Sequence, residues 1–105
     1  MTVLKKNREF QSVYKKAKAG HTGSCVLFFL RGDEAKVGYT ASKKVGNAVI
    51  RNRSKRRMRA LVKEYETQIH LGTLIVVAKE AMTDTSYDTF KKDFYRSLKK
   101  TGALK

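Results

Sequence analysis

The residues best equipped for chemistry sit between Ser42 and Arg59. In the run SKKVGNAVIRNRSKRRMR, eight of eighteen side chains are Lys or Arg, and no Asp or Glu occurs between Glu34 and Glu64. Cations at this density neutralise phosphates, and the counterions released on contact supply affinity. Arginine outnumbers lysine within residues 51–59, which favours bidentate phosphate recognition over diffuse attraction. Asn52 lies among these arginines and can both donate and accept. The plain alternative is a solvated basic helix face, but unpaired charge this dense is rarely decoration.

Other chemistries have weaker support. His21, Cys25 and His70 do not make a ligand pattern, since a closed zinc site needs a fourth ligand at suitable spacing. A ribonuclease working through its own side chains needs an acid and a base near the scissile phosphate, or a carboxylate cluster holding metal. The nine carboxylates are scattered and read as helix surface or turn residues. Phe10 and Tyr14, at i and i+4, share one helix face. Spacing alone favours ordinary core packing for such a pair, and a stacking platform for unpaired bases is the functional alternative.

Composition points the same way. A formal net charge of +15 on 105 residues destabilises a compact fold by self-repulsion, unless a partner of opposite charge offsets it. Nucleic acid, an anionic membrane and an acidic protein are the candidates. A 41% hydrophobic fraction with ten aromatics indicates a folded chain, one domain over residues 1–105. The single cysteine excludes an internal disulfide and fits a reducing cytoplasm. The N-terminal residues MTVLKK have no apolar core of secretory length. The longest apolar runs are too short to cross a bilayer, and the apolar stripe of the basic helix is needed for the core, which argues against a membrane-surface role.

The elements that must position these residues follow from pattern. Asn7 reads as a helix N-cap, with Phe10, Val13 and Tyr14 forming an apolar stripe to about Lys18, and Gly20 and Gly23 ending the helix. Cys25 to Leu30 reads as a buried strand, Arg31–Glu34 as a hairpin turn, and Lys36–Ser42 as the second arm. On that arm Val37, Tyr39 and Ala41 point one way, while Gly38, Thr40 and Ser42 form a small polar face that is either solvated or lies under a ligand. A second helix is expected from Asn47 to about Gln68, buried through Met58, Leu61, Val62, Tyr65 and Ile69. Arg51, Asn52, Lys55, Arg56, Arg59 and Lys63 fall on one arc beside that stripe, with Arg53 and Arg57 further round. Thr73–Ala78 reads as a central strand buried on both faces. Asp84 or Ser86 then caps a last helix with Tyr87, Phe90, Phe94 and Leu98 inward. The pattern is that of an α+β sandwich, about three helices on a small sheet.

The order of residues in the basic segment is more specific than its charge. Ser42-Lys43-Lys44-x-Gly46-Asn47-Ala48-Val49-x-Arg51-Asn52-Arg53-x-Lys55-Arg56-x-x-Arg59 resembles the signature of the bacterial ribonuclease P protein component. Lys6-Asn7-x-x-Phe10-x-x-Val13-Tyr14-Lys15 resembles that family's first helix, and Leu74–Lys79 its last strand. The resemblance implies an α-β-β-β-α-β-α two-layer sandwich of the ribosomal protein S5 domain 2-like class, with a left-handed crossover through the basic helix. It further implies the small subunit of a ribonucleoprotein endonuclease whose RNA subunit performs catalysis, in the cytoplasm and with magnesium, on precursor tRNA. No protein side chain is then catalytic or metal-binding, and no obligate protein partner is implied.

Roles follow by position from that resemblance. Lys43, Lys44, Arg51, Asn52, Arg53, Lys55, Arg56 and Arg59 match positions that contact the RNA subunit. Phe10, Tyr14, Phe28, Thr40 and Ser42 match a cleft that holds the single-stranded 5′ leader of precursor tRNA. Two departures stand out: Tyr14 and Phe28 exchange the aromatic types found in relatives, and Gly20–Ser24 lacks an arginine often present before the strand.

Overall fold

The computed structural model describes residues 1–105. It contains strand β1 (Thr2–Val3), helix α1 (Asn7–Lys16), strands β2 (Lys18–His21), β3 (Cys25–Arg31) and β4 (Lys36–Ala41), helix α2 (Ala48–Tyr65), strand β5 (Gly72–Ala78) and helix α3 (Tyr87–Thr101). The five strands form one mixed sheet in the order β1-β4-β5-β3-β2. β5 pairs antiparallel with β3 and parallel with β4, so α2 is the crossover that brings the chain back into register. This is an α+β fold.

β3 and β4 were expected to pair as a hairpin; they do not touch as partners, because β5 lies between them. The reason is burial. Leu74, Ile75 and Val76 are fully enclosed, and such a strand needs a ladder on each edge and cover on each face. The remaining parity holds. Val37, Tyr39 and Ala41 face the larger core, which is built from β3, β5, α2 and α3 around Phe90, Phe94, Met58, Leu61 and Leu98. Gly38 and Thr40 face α1.

Three further boundaries differ from the pattern reading. Helix α1 is capped one residue earlier than expected, at Lys6, whose backbone N–H donates to Glu9 Oε1 at 3.2 Å. The helix stops at Lys16 because the chain enters β2, pairing Lys18–His21 with Phe29–Val26. Gly20 therefore does not end α1. It sits in β2 where α3 comes close: a Cβ there would lie 2.5 Å from the Ser97 carbonyl oxygen. The turn from Thr22 to Cys25 is held without the missing arginine. Asp93 Oδ2 accepts from the Ser24 backbone N–H and hydroxyl at 3.2 and 2.7 Å, and Lys79 Nζ donates to the Thr22 carbonyl.

Helices α2 and α3 begin where expected. Asn47 Oδ1 accepts from Ile50 N at 3.0 Å, and Ser86 Oγ accepts from Thr89 N at 3.2 Å. Helix α3 ends at Gly102, which adopts the left-handed conformation, φ 74°, with Lys99 and Lys100 in its last turn.

Candidate nucleic-acid interface

Helix α2 buries Ser54, Met58, Leu61 and Val62 along one seam. That seam fixes the direction of every basic side chain on the helix. Arg51, Lys55 and Arg59, spaced by four, lie on the flank toward β4. Lys55 lines a cleft with Tyr39, Thr40 and Ala41. The Arg59 guanidinium carbon stands 5.8 Å from the Tyr39 ring centroid, within cation–π range. Arg51 is half-buried, and its Nε, shielded from solvent, has no hydrogen-bond partner. Asn52 and Arg56 are exposed. Arg53 and Arg57 turn to the opposite flank, bordering a recess of about 260 Å³ with Asp84, and Arg57 Nη1 donates to the Thr85 carbonyl at 3.2 Å. The arc of the helical projection thus divides into a flank and an exposed crest, with Arg53 and Arg57 further round on the opposite flank.

The ion pairs of the molecule are Met1 N-terminus–Glu66, Lys36–Glu34, Lys91–Glu64 and Arg96–Asp93. None uses a cation from residues 42–59. The first turn of α2 carries no acidic residue, and Lys43 and Lys44 are exposed just before it. The positive end of the helix dipole is therefore reinforced rather than offset. Beside it Val49 is 74% exposed, an apolar side chain among charges.

The cleft beside this flank has a volume of about 300 Å³, and its walls are Lys5, Asn7, Phe10 and Tyr14 on one side and Tyr39, Thr40, Ala41 and Lys55 on the other. It contains two cations and no carboxylate. Phe10 and Tyr14 are half-buried, with ring centroids 6.3 Å apart, and Tyr14 meets Phe28 edge-on at 4.8 Å. These rings rest on a small apolar group, Leu4, Val13 and Ile75. Gly38 makes room for Phe10: a Cβ at that position would lie 2.6 Å from Phe10 Cε1.

Burial pushes the Tyr14 hydroxyl pKa up. It does the same for Tyr39, where the nearby Arg59 charge opposes it. Both phenols are therefore neutral near pH 7 and can donate a hydrogen bond. Burial likewise raises the Cys25 thiol, which removes it as a nucleophile.

Of the sequence-derived cleft residues, Phe10, Tyr14 and Thr40 line the walls, Phe28 stands behind Tyr14, and Ser42 lies beyond the end of β4. Pattern reading missed Lys5, Asn7, Tyr39 and Ala41. Parity places the Tyr39 and Ala41 side chains on the apolar face of the strand, where they pack against the larger core, but gives no signal of their backbone at the sheet edge. Lys55 was assigned to the helix face alone, yet it also borders the cleft. No three His, Cys, Asp or Glu side chains converge as a metal site would require. No helix is long and apolar enough to cross a membrane. The largest recess, about 760 Å³, lies against α3 by Tyr65 and Tyr95. Its Lys91 and Arg96 pair with Glu64 and Asp93, and Asp88 lies beside the remaining Lys92, whereas the smaller cleft has two lysines and no carboxylate.

A family model described as Ribonuclease P matches residues 1–102. The ribonuclease P protein component of a Nitratiruptor species is 37% identical, covering 92% of this chain and 89% of its own. That of Bacillus velezensis is 36% identical, covering 97% and 90%. A solved structure of the Staphylococcus aureus RNase P protein superposes with a TM-score of 0.90 at 29% identity, covering all of this chain and 99% of the other.

Proposed function

The chain belongs to the ribonuclease P protein family, and we propose that it binds the catalytic RNA subunit and the 5′ leader of precursor tRNA together. In this reading α2 grips the RNA subunit through Arg53, Arg56, Asn52 and the preceding Lys43 and Lys44. The cleft holds the unpaired leader through stacking on Phe10 and Tyr14, with Lys5 and Lys55 against its phosphates. Phe28 supports Tyr14 from behind, and Ser42 belongs to the approach to α2. Arg51 and Arg59 stand between the two surfaces and link them.

The observation that carries the reading is that no cation from Lys43 to Arg59 has a carboxylate partner, although the chain has nine carboxylates. A folded protein leaves so much charge without internal partners when an external polyanion supplies them. Hydrolysis of the phosphodiester, leaving a 5′ phosphate on the mature tRNA, falls to the RNA subunit and its magnesium. The protein contributes orientation and charge neutralisation, and lowers the magnesium needed to hold two polyanions together.

Reconstitution tests this. Precursor tRNA is incubated with the protein, with ribonuclease P RNA at low magnesium, and with both. Cleavage is expected only for the pair, and His21→Ala with His70→Ala should leave it nearly intact. Cleavage by the protein alone would overturn the assignment of chemistry to RNA. Sequencing of RNA that copurifies with the protein from cells provides an independent check, since ribosomal RNA without ribonuclease P RNA would indicate a structural RNA-binding protein instead.

A further inference from the structure

The cleft is built around an open sheet edge. β1 covers only the beginning of β4: Thr2 N donates to the Ala35 carbonyl and Leu4 N to the Val37 carbonyl, at 2.9 and 2.8 Å. The chain then leaves for α1. Along a strand, alternate residues direct both backbone groups to the same neighbour. Val37 therefore faces the β1 side, Gly38 and Thr40 face β5, and Tyr39 and Ala41 face the β1 side again. No strand is present there to receive them, and no backbone or side-chain partner reaches their N–H groups from outside the sheet.

These orphan groups open into the cleft, because Tyr39, Thr40 and Ala41 form one of its walls. On one side of the edge stand the Phe10 and Tyr14 rings; on the other stands Lys55 from α2, with Lys5 at the end. An open edge is a template for anything that presents alternating donors and acceptors. The surroundings select the occupant. Two lysines and no carboxylate favour an anionic strand over a neutral one, and the half-buried Phe10 and Tyr14 rings beside the edge favour an unpaired nucleic acid, whose bases can stack, over an acidic peptide.

We propose that the Tyr39 and Ala41 main-chain groups hydrogen-bond the edge of an unpaired leader base stacked at Phe10 and Tyr14, so that β4 reads the RNA with its backbone. This rests on the leader-cleft reading above and adds to it a recognition element that side-chain substitution does not remove. It also gives a role to Lys55 as the phosphate contact nearest the base so held.

The test replaces Ala41 by lactic acid, which converts its amide to an ester, keeps the methyl group and deletes the N–H. The protein is assembled with ribonuclease P RNA, and affinities for precursor and mature tRNA are measured beside those of unmodified protein and Phe10→Ala. The ester should weaken precursor binding about two- to tenfold, the worth of one hydrogen bond, with mature tRNA unchanged. Unchanged precursor affinity, alongside a selective loss in Phe10→Ala, would overturn backbone reading and leave the cleft assignment standing. If Phe10→Ala also shows no selective loss, both fall. Amide hydrogen exchange on the unmodified protein guards against an ester that fails to fold. A single-stranded RNA of leader sequence should slow exchange at Tyr39 and Ala41, and unslowed exchange at saturating RNA would reject the proposal.

Discussion

On one side of the sheet, seventeen buried residues make a continuous core beneath α2 and α3; on the other, a cluster of just three, Leu4, Val13 and Ile75, is buried, and Phe10, Tyr14, Phe28 and Val77 lean on it half-covered. Both sides are apolar, both contain aromatic pairs, and both rest on the same three strands. They differ in closure. Phe90 and Phe94 meet edge-on at 6.2 Å and are wholly enclosed, whereas Phe10 and Tyr14 meet at 6.3 Å with their outer faces free. Ring pairs at nearly the same separation are thus sealed on one side of the sheet and left open to solvent on the other. Stability resides on the α2–α3 side, which leaves the α1 side free to be incomplete.

That contrast can be broken most forcefully at Phe94. Phe94→Ala removes an enclosed ring between Phe90 and Tyr65 and should cost about 3–5 kcal/mol in urea unfolding. The fraction that remains folded should still prefer leader-bearing precursor. Gly38→Ala comes next. Its methyl would collide with the Phe10 ring, and a cost of about 1–3 kcal/mol is expected from overpacking. The ring would be driven into the cleft, so selectivity for the leader should fall with stability. Phe10→Ala should separate the two quantities. It should weaken binding of precursor tRNA by about 1–3 kcal/mol while leaving mature tRNA and the unfolding midpoint almost unmoved; equal losses for both RNAs would make Phe10 part of the core. Arg56→Ala should produce the smallest change. Its exposed guanidinium has no ion-pair partner in the protein, so unfolding should be almost unaltered. The slope of log affinity against log salt for the RNA subunit should become shallower by about 1. An unchanged slope would remove Arg56 from the phosphate contacts.

The elements that depend on local rules were readable in the residues. Asn47 and Ser86 are short polar caps placed before long apolar stripes, and α2 and α3 begin at them. The burial of Leu74, Ile75 and Val76 followed from an unbroken apolar run. What pattern did not supply was pairing. Nothing local distinguishes a β3–β4 hairpin from two strands separated by a third that lies thirty residues further on. The turn-like Arg31-Gly32-Asp33-Glu34 serves both arrangements. Gly20 was misread for a related reason: its role is set by the Ser97 carbonyl, which is remote in sequence. In the candidate site Phe10, Tyr14 and Thr40 line one cleft, and Lys55, read from the sequence as part of the helix face alone, borders it too. The contribution of Tyr39 and Ala41 was hidden, because it lies in backbone groups that every residue possesses and only the sheet order leaves unpaired.

The central position of β5 also governs how the chain acquires its shape. β3 and β4 can pair early only with the short outer strands β2 and β1, because the strand that must separate them, residues 72–78, is the last of the sheet to be synthesised. Folding therefore waits on contacts distant in sequence, which places the protein among slower folders for its size and leaves two apolar strands exposed meanwhile. Between them and β5 lies the cationic run from Lys43 to Arg59. In a newly made chain that run repels its copies at the stage when strand edges could join them. Charge of this density should therefore keep nascent copies apart until β5 closes the sheet.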